Sequence, residues 1–242
     1  MLSRTPTPPD SPFKANPDAV PTLKKVWKDF VLLLRIAREF AVGFHFFGRT
    51  YPMVSIFGSA RIPASHAGYA ATRDLAARLG REGFAILTGG GPSLMEAANR
   101  GARDAGARSL ACNIRLPFEQ SANPYVDRLL TMRFFFSRKY MLTSYSVAFI
   151  YLPGGFGTLD ELFEVLTLMQ TKKIPRRPVI LVGEAYWKGL DDWLRGEVLH
   201  AGAIGHDSLP LFRVTDDLDA IVTALKQAKN EIDRERQKGK PA

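Results

Sequence analysis

The sequence predicts an α/β fold, in which helices flank a parallel sheet and a further helix forms an N-terminal extension. Two patterns predict it. From residue 51 onwards, short apolar runs alternate with helical stretches, as in repeated strand–helix–strand units. Before these units, residues 22–41 carry apolar side chains at the spacing of an amphipathic helix. A chain of 242 residues accommodates one such domain with extensions.

The N-terminal extension, residues 1–49, is predicted to have two parts. Residues 1–20 contain five prolines and little periodicity, which indicates a disordered lead. The amphipathic helix over 22–41 follows, and its apolar face is expected to be buried against another surface. The alternatives are packing on the domain, contact with another subunit and, more weakly, binding to a membrane surface through its lysines and arginines.

The α/β domain is predicted over residues 50–232, and a charged tail over 233–242. Right-handed crossovers place the carboxyl ends of its strands at one edge of the sheet, where ligands bind in such folds. Residues 115–136 show no clear period and are predicted to form a lid or a substrate-lining loop. The predicted strands are Met53–Phe57, Phe84–Leu87, Ser109–Ile114, Val147–Leu152 and Pro178–Val182. The predicted helices are 66–82, 93–105, 137–146, 158–171, 186–199 and 216–231.

The net charge of +9 lies mainly on the two ends, because residues 1–49 contribute +4 and residues 226–242 contribute +3. A nucleic-acid footprint would instead cover a folded face, so nucleic acid is not an expected partner. The single cysteine, Cys112, excludes an internal disulfide and indicates a reducing compartment. Neither a targeting signal nor a membrane-length apolar run is evident. The expected localisation is therefore cytoplasmic, with no membrane partner.

Small residues follow three of the predicted strands, in the loops Gly58–Arg61, Thr88–Ser93 and Pro153–Thr158. Glycine lets the backbone approach a ligand closely. The helix that follows presents unpaired N–H groups, which suit a phosphate. Three such loops at one sheet edge indicate a phosphorylated ligand. None has the Gly-Lys-Ser/Thr ending of a nucleoside triphosphatase loop or the Gly-x-Gly-x-x-Gly of a dinucleotide site.

The role of Glu161 is left open by its spacing. Thr158 and Glu161 have the separation of a capping box, in which the glutamate bonds back to the backbone at the start of the helix. On spacing alone, this capping role is favoured over a catalytic one. The four histidines show no metal-ligand spacing, and Cys112 is expected to be a buried structural thiol.

The most specific signature lies in residues 137–171. Arg138-Lys139 is followed by Pro153-Gly-Gly-Phe-Gly-Thr-Leu-Asp-Glu161, and a Gly-Gly-Gly loop stands at 89–91. In residue type and spacing, this signature resembles that of the LONELY GUY (LOG) family of phosphoribohydrolases, and the similarity spans roughly residues 51–225. The resemblance implies a Rossmann-like, nucleotide-binding fold. It also implies a hydrolase that releases free base and ribose 5-phosphate from nucleoside 5′-monophosphates such as AMP or cytokinin riboside monophosphate.

The resemblance further implies the site residues. Arg138 and Glu161 correspond to the catalytic pair, in which a carboxylate stabilises a cationic ribosyl transition state and a guanidinium positions the substrate. Substrate binding is implied for Gly89, Gly90, Gly91, Met95, Glu119, Lys139, Gly154, Gly155, Phe156, Gly157, Thr158 and Thr167. No metal or other cofactor is implied, and a homodimer or larger homo-oligomer is.

Two further comparisons bear on the function. Non-catalytic carriers of phosphorylated cofactors, such as molybdenum cofactor carriers, have related folds and would keep the glycine loops without needing the Arg138–Glu161 pair. Members of the resembled family have also been labelled lysine decarboxylases, but no lysine here is singled out for a Schiff base. The sequence departs from the family at Ser93, where many members have glycine, and at Asp160, where plant members have Glu. The base preference stays open.

Overall fold

The computed structural model describes residues 22–116 and 121–239. They form an α/β fold, which confirms the predicted class. The strands are β1 (Met53–Phe57), β2 (Ala85–Thr88), β3 (Ser109–Ile114), β4 (Arg128–Met132), β5 (Ala148–Tyr151), β6 (Val179–Leu181) and β7 (Arg213–Val214). The helices are α1 (Leu23–Phe47), α2 (Ala67–Arg81), α3 (Leu94–Asp104), α4 (Phe135–Ser144), α5 (Phe156–Gln170), α6 (Glu184–Trp193) and α7 (Leu218–Gln237). A π-helical turn, Leu194–Val198, extends α6, and a 3-10 turn, His206–Leu211, precedes β7.

The strands form one parallel sheet in the order β4-β3-β2-β1-β5-β6-β7. The inner strands are buried on both faces, as expected where helices cover both sides. Alternate residues of β1 enter different cores: Met53 and Phe57 one, Val54 and Ile56 the other. The side chain of Trp187 is fully buried in the first core.

The order of the strands reverses next to β1, because β2, β3 and β4 lie on one side of it and β5, β6 and β7 on the other. The loops that leave β1, β2 and β5 therefore meet at the carboxyl edge of the sheet. Such a switch point is where parallel α/β sheets bind ligands. The prediction that the three small-residue loops share one edge is confirmed.

The prediction of an irregular loop over 115–136 is wrong in part, because β4 lies within it. This strand is at the edge of the sheet and exposes Arg128, Leu129 and Thr131 to solvent. Since an edge strand needs no continuous apolar run, its sequence gives little signal. The short β7, at the opposite edge, was not predicted for the same reason.

The described residues divide into two units at the boundary between Ala37 and Arg38. Helix α1 begins in the first unit and ends in the second, six residues beyond the predicted end at 41. In the first unit, Leu23, Trp27 and Leu33 are exposed, and in the second, the last residue of the helix, Phe47, is fully buried. Among the described helices, none is long and apolar enough to cross a membrane. The predicted disordered lead, 1–20, lies outside the described residues.

Candidate active site

Main-chain hydrogen bonds join the three loops at the carboxyl edge. The amide of Ser59, after β1, donates to the carbonyl of Pro153 at 3.0 Å. The carbonyl of Ser59 accepts from the amide of Leu94, at the start of α3, at 3.2 Å. The loops enclose a cavity of about 600 Å3. Sequence-predicted residues in its wall are Gly89, Met95, Arg138, Gly154, Gly155, Phe156, Gly157, Thr158 and Glu161.

Arg138 enters the cavity from the first turn of α4 and is fixed on several sides. Its Nε donates to the carbonyl oxygen of Cys112, within β3, at 3.0 Å. Its Nη1 lies 3.6 Å from Oε1 of Glu161. A Cβ atom on Gly89 would stand only 2.7 Å from Nη2, so the guanidinium occupies space that glycine leaves free. Cys112 is fully buried, as predicted for a structural thiol, and burial raises its pKa to about 12.

Glu161 is the buried acid of the cavity, with only 3% of its surface exposed. Burial raises its pKa to about 7, although the positive charges of Arg138 and Lys139 oppose the rise. Its Oε2 is buried and has no hydrogen-bond partner within the described residues. A buried, unsatisfied carboxylate oxygen beside a cavity is available to a ligand or a water molecule.

The capping role favoured for Glu161 by its spacing is wrong. Helix α5 begins at Phe156, with Gly155 as its N-cap, so Thr158 is the third helical residue and not the cap. The amides of Thr158 and Leu159 already donate to the carbonyl of Gly155. Since the helix starts earlier than the spacing implied, the Glu161 carboxylate faces Arg138 instead of the helix start.

The loop after β5 presents backbone donors to the cavity. Within the described residues, the amides of Phe156 and Gly157 donate to no backbone or side-chain acceptor. A Cβ atom on Gly154 would stand 2.1 Å from Oγ1 of Thr158, so only glycine fits there. The hydroxyl of Tyr186 donates to the carbonyl of Gly154 at 2.5 Å. The free N-terminus of the 15-residue α5 suits an anion.

The loop after β2 is held in place by the buried side-chain amides of Asn99 and Asn123. Oδ1 of Asn99, on α3, accepts from the hydroxyl of Thr88 at 2.7 Å and from Asn123 Nδ2 at 3.0 Å. Thr88 in turn accepts from the amide of Gly90 at 2.9 Å, and Asn123 donates to the carbonyl of Gly91 at 3.0 Å. Gly90 and Gly91, predicted to bind substrate, are not part of the cavity wall.

Two further predicted substrate residues are not brought to the cavity. Lys139 Nζ lies 3.0 Å from Oδ2 of Asp160 and also pairs with Glu164, so its contribution at Glu161 is through its charge. Oγ1 of Thr167 donates to the carbonyl of Phe163 on the same helix. Glu119 lies outside the described residues.

Several parts of the cavity wall were not predicted as site residues: Phe57, the loop Gly58–Arg61, Leu159 and Tyr186. The loop Gly58–Arg61 carried a signal, since it follows a strand and contains small residues, and it lines the cavity. Tyr186 carried none, because it belongs to α6 and reaches Gly154 from 32 positions later in the chain. Within the described residues there is no group of three or more His, Cys, Asp or Glu side chains that would hold a metal ion.

Comparisons with known proteins show the family of this chain. The family model described as "Possible lysine decarboxylase" matches residues 95–225. A cytokinin riboside 5′-monophosphate phosphoribohydrolase of Mycobacterium marinum is 30% identical over 150 residues, which cover 61% of this chain and 80% of the relative. The enzyme LOG of Oryza sativa subsp. japonica is 33% identical over 120 residues, which cover 47% of this chain and 49% of that protein.

Among solved structures, the molybdenum cofactor carrier protein of Chlamydomonas reinhardtii has a TM-score of 0.52 at 21% identity. The match covers 73% of this chain and 97% of the carrier, and at this identity it concerns the fold alone. The family model covers more than half of the chain, and the mycobacterial relative is matched over 80% of its length, so these two comparisons show the family. The chain belongs to the family of that model, to which the phosphoribohydrolases of the LONELY GUY type also belong.

Proposed function

We propose that the protein hydrolyses the N-glycosidic bond of nucleoside 5′-monophosphates, such as AMP or cytokinin riboside monophosphate, to free base and ribose 5-phosphate. One observation carries the proposal: a buried carboxylate with an unpartnered oxygen, Glu161, faces Arg138 in a cavity beside a free helix N-terminus. The relatives named cytokinin riboside 5′-monophosphate phosphoribohydrolases support it.

In this proposal, the 5′-phosphate binds to the N-terminus of α5. The amide hydrogens of Phe156 and Gly157 and the partial positive charge of the helix favour a phosphate there. Gly154 and Gly155 keep the loop free of side chains that would block the approach. The ribose then lies further into the cavity, towards Glu161 and Arg138.

Glu161 would act at C1′ of the ribose. When the bond between C1′ and the base nitrogen breaks, its electron pair leaves with the base and positive charge develops on the sugar. A carboxylate close to C1′ stabilises that charge and takes a proton from the attacking water, while the departing base gains a proton. The fixed guanidinium of Arg138 positions the ribose or phosphate oxygens and balances the charge of Glu161.

A panel of AMP, CMP, GMP and isopentenyladenosine monophosphate, assayed for released base, tests the activity and determines the base preference. We expect Glu161→Gln to fold normally and to release base at least about a hundredfold more slowly, which is the usual scale for a general base. Glu82→Gln, which alters a surface ion pair with Lys226, is the matched control and should keep wild-type rates.

Two alternatives have distinct outcomes in the same assay. A carrier of a phosphorylated cofactor would bind a nucleotide without releasing base, and its affinity would not depend on Glu161. A lysine decarboxylase would need a reactive lysine, but no described lysine lines the cavity. Release of base at wild-type rate by Glu161→Gln would contradict the proposed role of the carboxylate.

We also propose that the protein acts as a homo-oligomer in the cytoplasm. The exposed apolar side chains of α1, among them Trp27, Phe30 and Leu33, support association between copies, because large apolar surfaces are typical of interfaces. The single, buried Cys112 fits a reducing compartment. A mass of one chain in light scattering would contradict the oligomer, and fractionation of cells tests the location.

A further inference from the structure

Helix α4, which carries Arg138, has no cap of its own. Its N-cap residue is Phe134, whose side chain makes no capping hydrogen bond. The first amide groups of a helix have no partner inside it, and a helix normally uses a nearby polar side chain to satisfy them. At the entry to α4, the amides of Arg133 and of the N-cap residue Phe134 are instead bound by a group from elsewhere in the chain.

Glu39, almost a hundred positions earlier on α1, provides this group. Its Oε1 accepts from the amide of Arg133 at 2.6 Å, and its Oε2 accepts from the amide of Phe134 at 3.4 Å. Oε2 also accepts from the hydroxyl of Ser137 at 2.6 Å. Ser137 is fully buried, and Glu39 itself is partly buried. A carboxylate at this end also interacts favourably with the dipole of the helix.

The same part of α1 packs along α4 beyond the cap. The ring of Phe40 lies 5.4 Å from that of Tyr140, measured between ring centres, in an edge-on arrangement. A Cβ atom on Gly43 would stand 2.4 Å from Cε of Met141, so the two helices are in close contact there. Residues from Glu39 to Gly43 thus hold α4 both at its start and along its side.

Arg138 follows Ser137 directly, and its amide forms the first helical bond of α4, to the carbonyl of Phe134 at 3.2 Å. Any displacement of the start of α4 therefore moves the guanidinium relative to Glu161. Misplacement of a catalytic group by about 1 Å costs on the order of a hundredfold in rate. Glu39 lies outside the segment that the family model matches, residues 95–225.

We propose that Glu39 is a positioning residue, which fixes Arg138 in the active site by capping helix α4. The inference rests on the proposed function for its kinetic part. The cap itself is a property of the folded chain, so this part of the inference does not depend on the proposed function.

The test compares Glu39→Gln with wild type, with Glu82→Gln as the matched surface control. Gln cannot accept from both backbone amides and the serine hydroxyl as the carboxylate does. We expect faster hydrogen exchange at Arg133 and Phe134, a kcat lower by about tenfold to a hundredfold and weaker AMP binding in calorimetry. In an Arg138→Ala background, Glu39→Gln should add almost nothing, because both changes then act on one group.

The pH profile gives a readout that a purely structural cap would not change. Arg138 and Lys139 lower the pKa of Glu161, whereas Glu164 and Asp160 raise it. If the guanidinium moves away, the pKa of Glu161 rises, and the acidic limb of the kcat profile shifts to higher pH. Ser137→Ala removes the hydroxyl, which contacts Glu39 and the carbonyl of Phe134, but it leaves both backbone contacts of Glu39 in place. It should change the same quantities in the same direction by less, and it carries the test if Glu39→Gln does not fold.

Each other outcome overturns a defined part of the inference. Unchanged exchange at Arg133 and Phe134 would overturn the cap. Faster exchange with unchanged kcat, pH profile and AMP binding would leave a structural cap and overturn the positioning role. If wild type itself releases no base, the proposed function fails, and AMP binding that is equal in wild type and Glu39→Gln would still overturn the positioning of Arg138.

Discussion

The glycine loops after β2 and after β5 lie side by side at the edge of the sheet, yet they are built differently. In the first, buried side chains of Thr88, Asn99 and Asn123 satisfy the backbone. In the second, the amides at the start of α5 point to the cavity without such partners. Two glycine-rich loops of similar sequence thus have different roles: the loop after β2 is held by side chains, and the loop after β5 directs its free amides into the cavity. Changes to the first should lower stability, and changes to the second should lower activity.

The largest effect expected is the loss of stability in Asn99→Ala. The change removes the acceptor of the Thr88 hydroxyl proton, the donor to the Ser109 hydroxyl and the acceptor of one Asn123 N–H. Unsatisfied buried groups cost about 1–3 kcal/mol each, so we expect the free energy of unfolding to fall by about 4 kcal/mol in total. Urea denaturation measures it, and Asn230→Ala, on the exposed side of α7, is the control. A loss below about 1 kcal/mol would show that the loop does not depend on the network.

The second prediction concerns how the stability of the protein depends on pH through Glu161. This residue lies on α5, the helix that follows the second loop. Its pKa rises from 4.5 to about 7 on folding, so its ionisation destabilises the folded protein increasingly as the pH rises from about 4.5 through about 7. Glu161→Gln should therefore be more stable than wild type at pH 8, by up to about 3 kcal/mol. The difference should vanish below pH 4.5. Thermal unfolding at both pH values measures it, and an equal difference at both would contradict the raised pKa.

The third prediction concerns Gly154→Ala, in the second loop. The added methyl group would meet Oγ1 of Thr158 at 2.1 Å, so the loop must open and its amides must move. We expect kcat/KM for the best nucleoside monophosphate to fall by about a hundredfold, which corresponds to about 2.7 kcal/mol. Gly189→Ala, in α6 with nothing within 4 Å of the new atom, is the control. Wild-type kinetics in Gly154→Ala would mean that the loop does not bind the substrate.

The smallest effect concerns Ser93, where the backbone has a φ of 65° that L-residues rarely adopt. Its hydroxyl donates to the carbonyl of Ile62 at 2.6 Å. Ser93→Ala keeps the strained backbone and loses this bond, so it should lower the free energy of unfolding by about 1 kcal/mol. Ser93→Gly loses the bond but relieves the strain, and it should be close to wild type. Equal losses in both variants would show that the strain is negligible.

Much of the fold followed from local patterns, because apolar runs and the glycines after them report on neighbouring residues. These patterns located β1 and β3 to the residue and placed the three loops at one edge. They missed β4, because an edge strand needs no buried face on both sides. They also misjudged Glu161, because the start of α5 at Phe156 depends on how the loop leaves β5.

The Arg138–Glu161 pair, which we propose to be catalytic, was predicted through the family signature and not from spacing. Arg138 and Glu161 lie on different helices, and only the fold brings them to 3.6 Å. Contacts across long stretches of chain, such as Tyr186 to Gly154 and Glu39 to Ser137, have no local pattern. A glutamate in an amphipathic helix looks like a solvent-exposed residue until its neighbours are known.

The way α1 spans two units also matters for anyone who shortens or fuses this chain. Motifs alone suggest that the catalytic part begins near residue 50, but the second compact unit begins at Arg38. A version that starts at residue 50 would discard Glu39 and Phe40, whereas one that starts at Arg38 would keep them. The choice of where to cut therefore decides whether the purified protein retains the contacts of Glu39 at the start of the helix that carries Arg138.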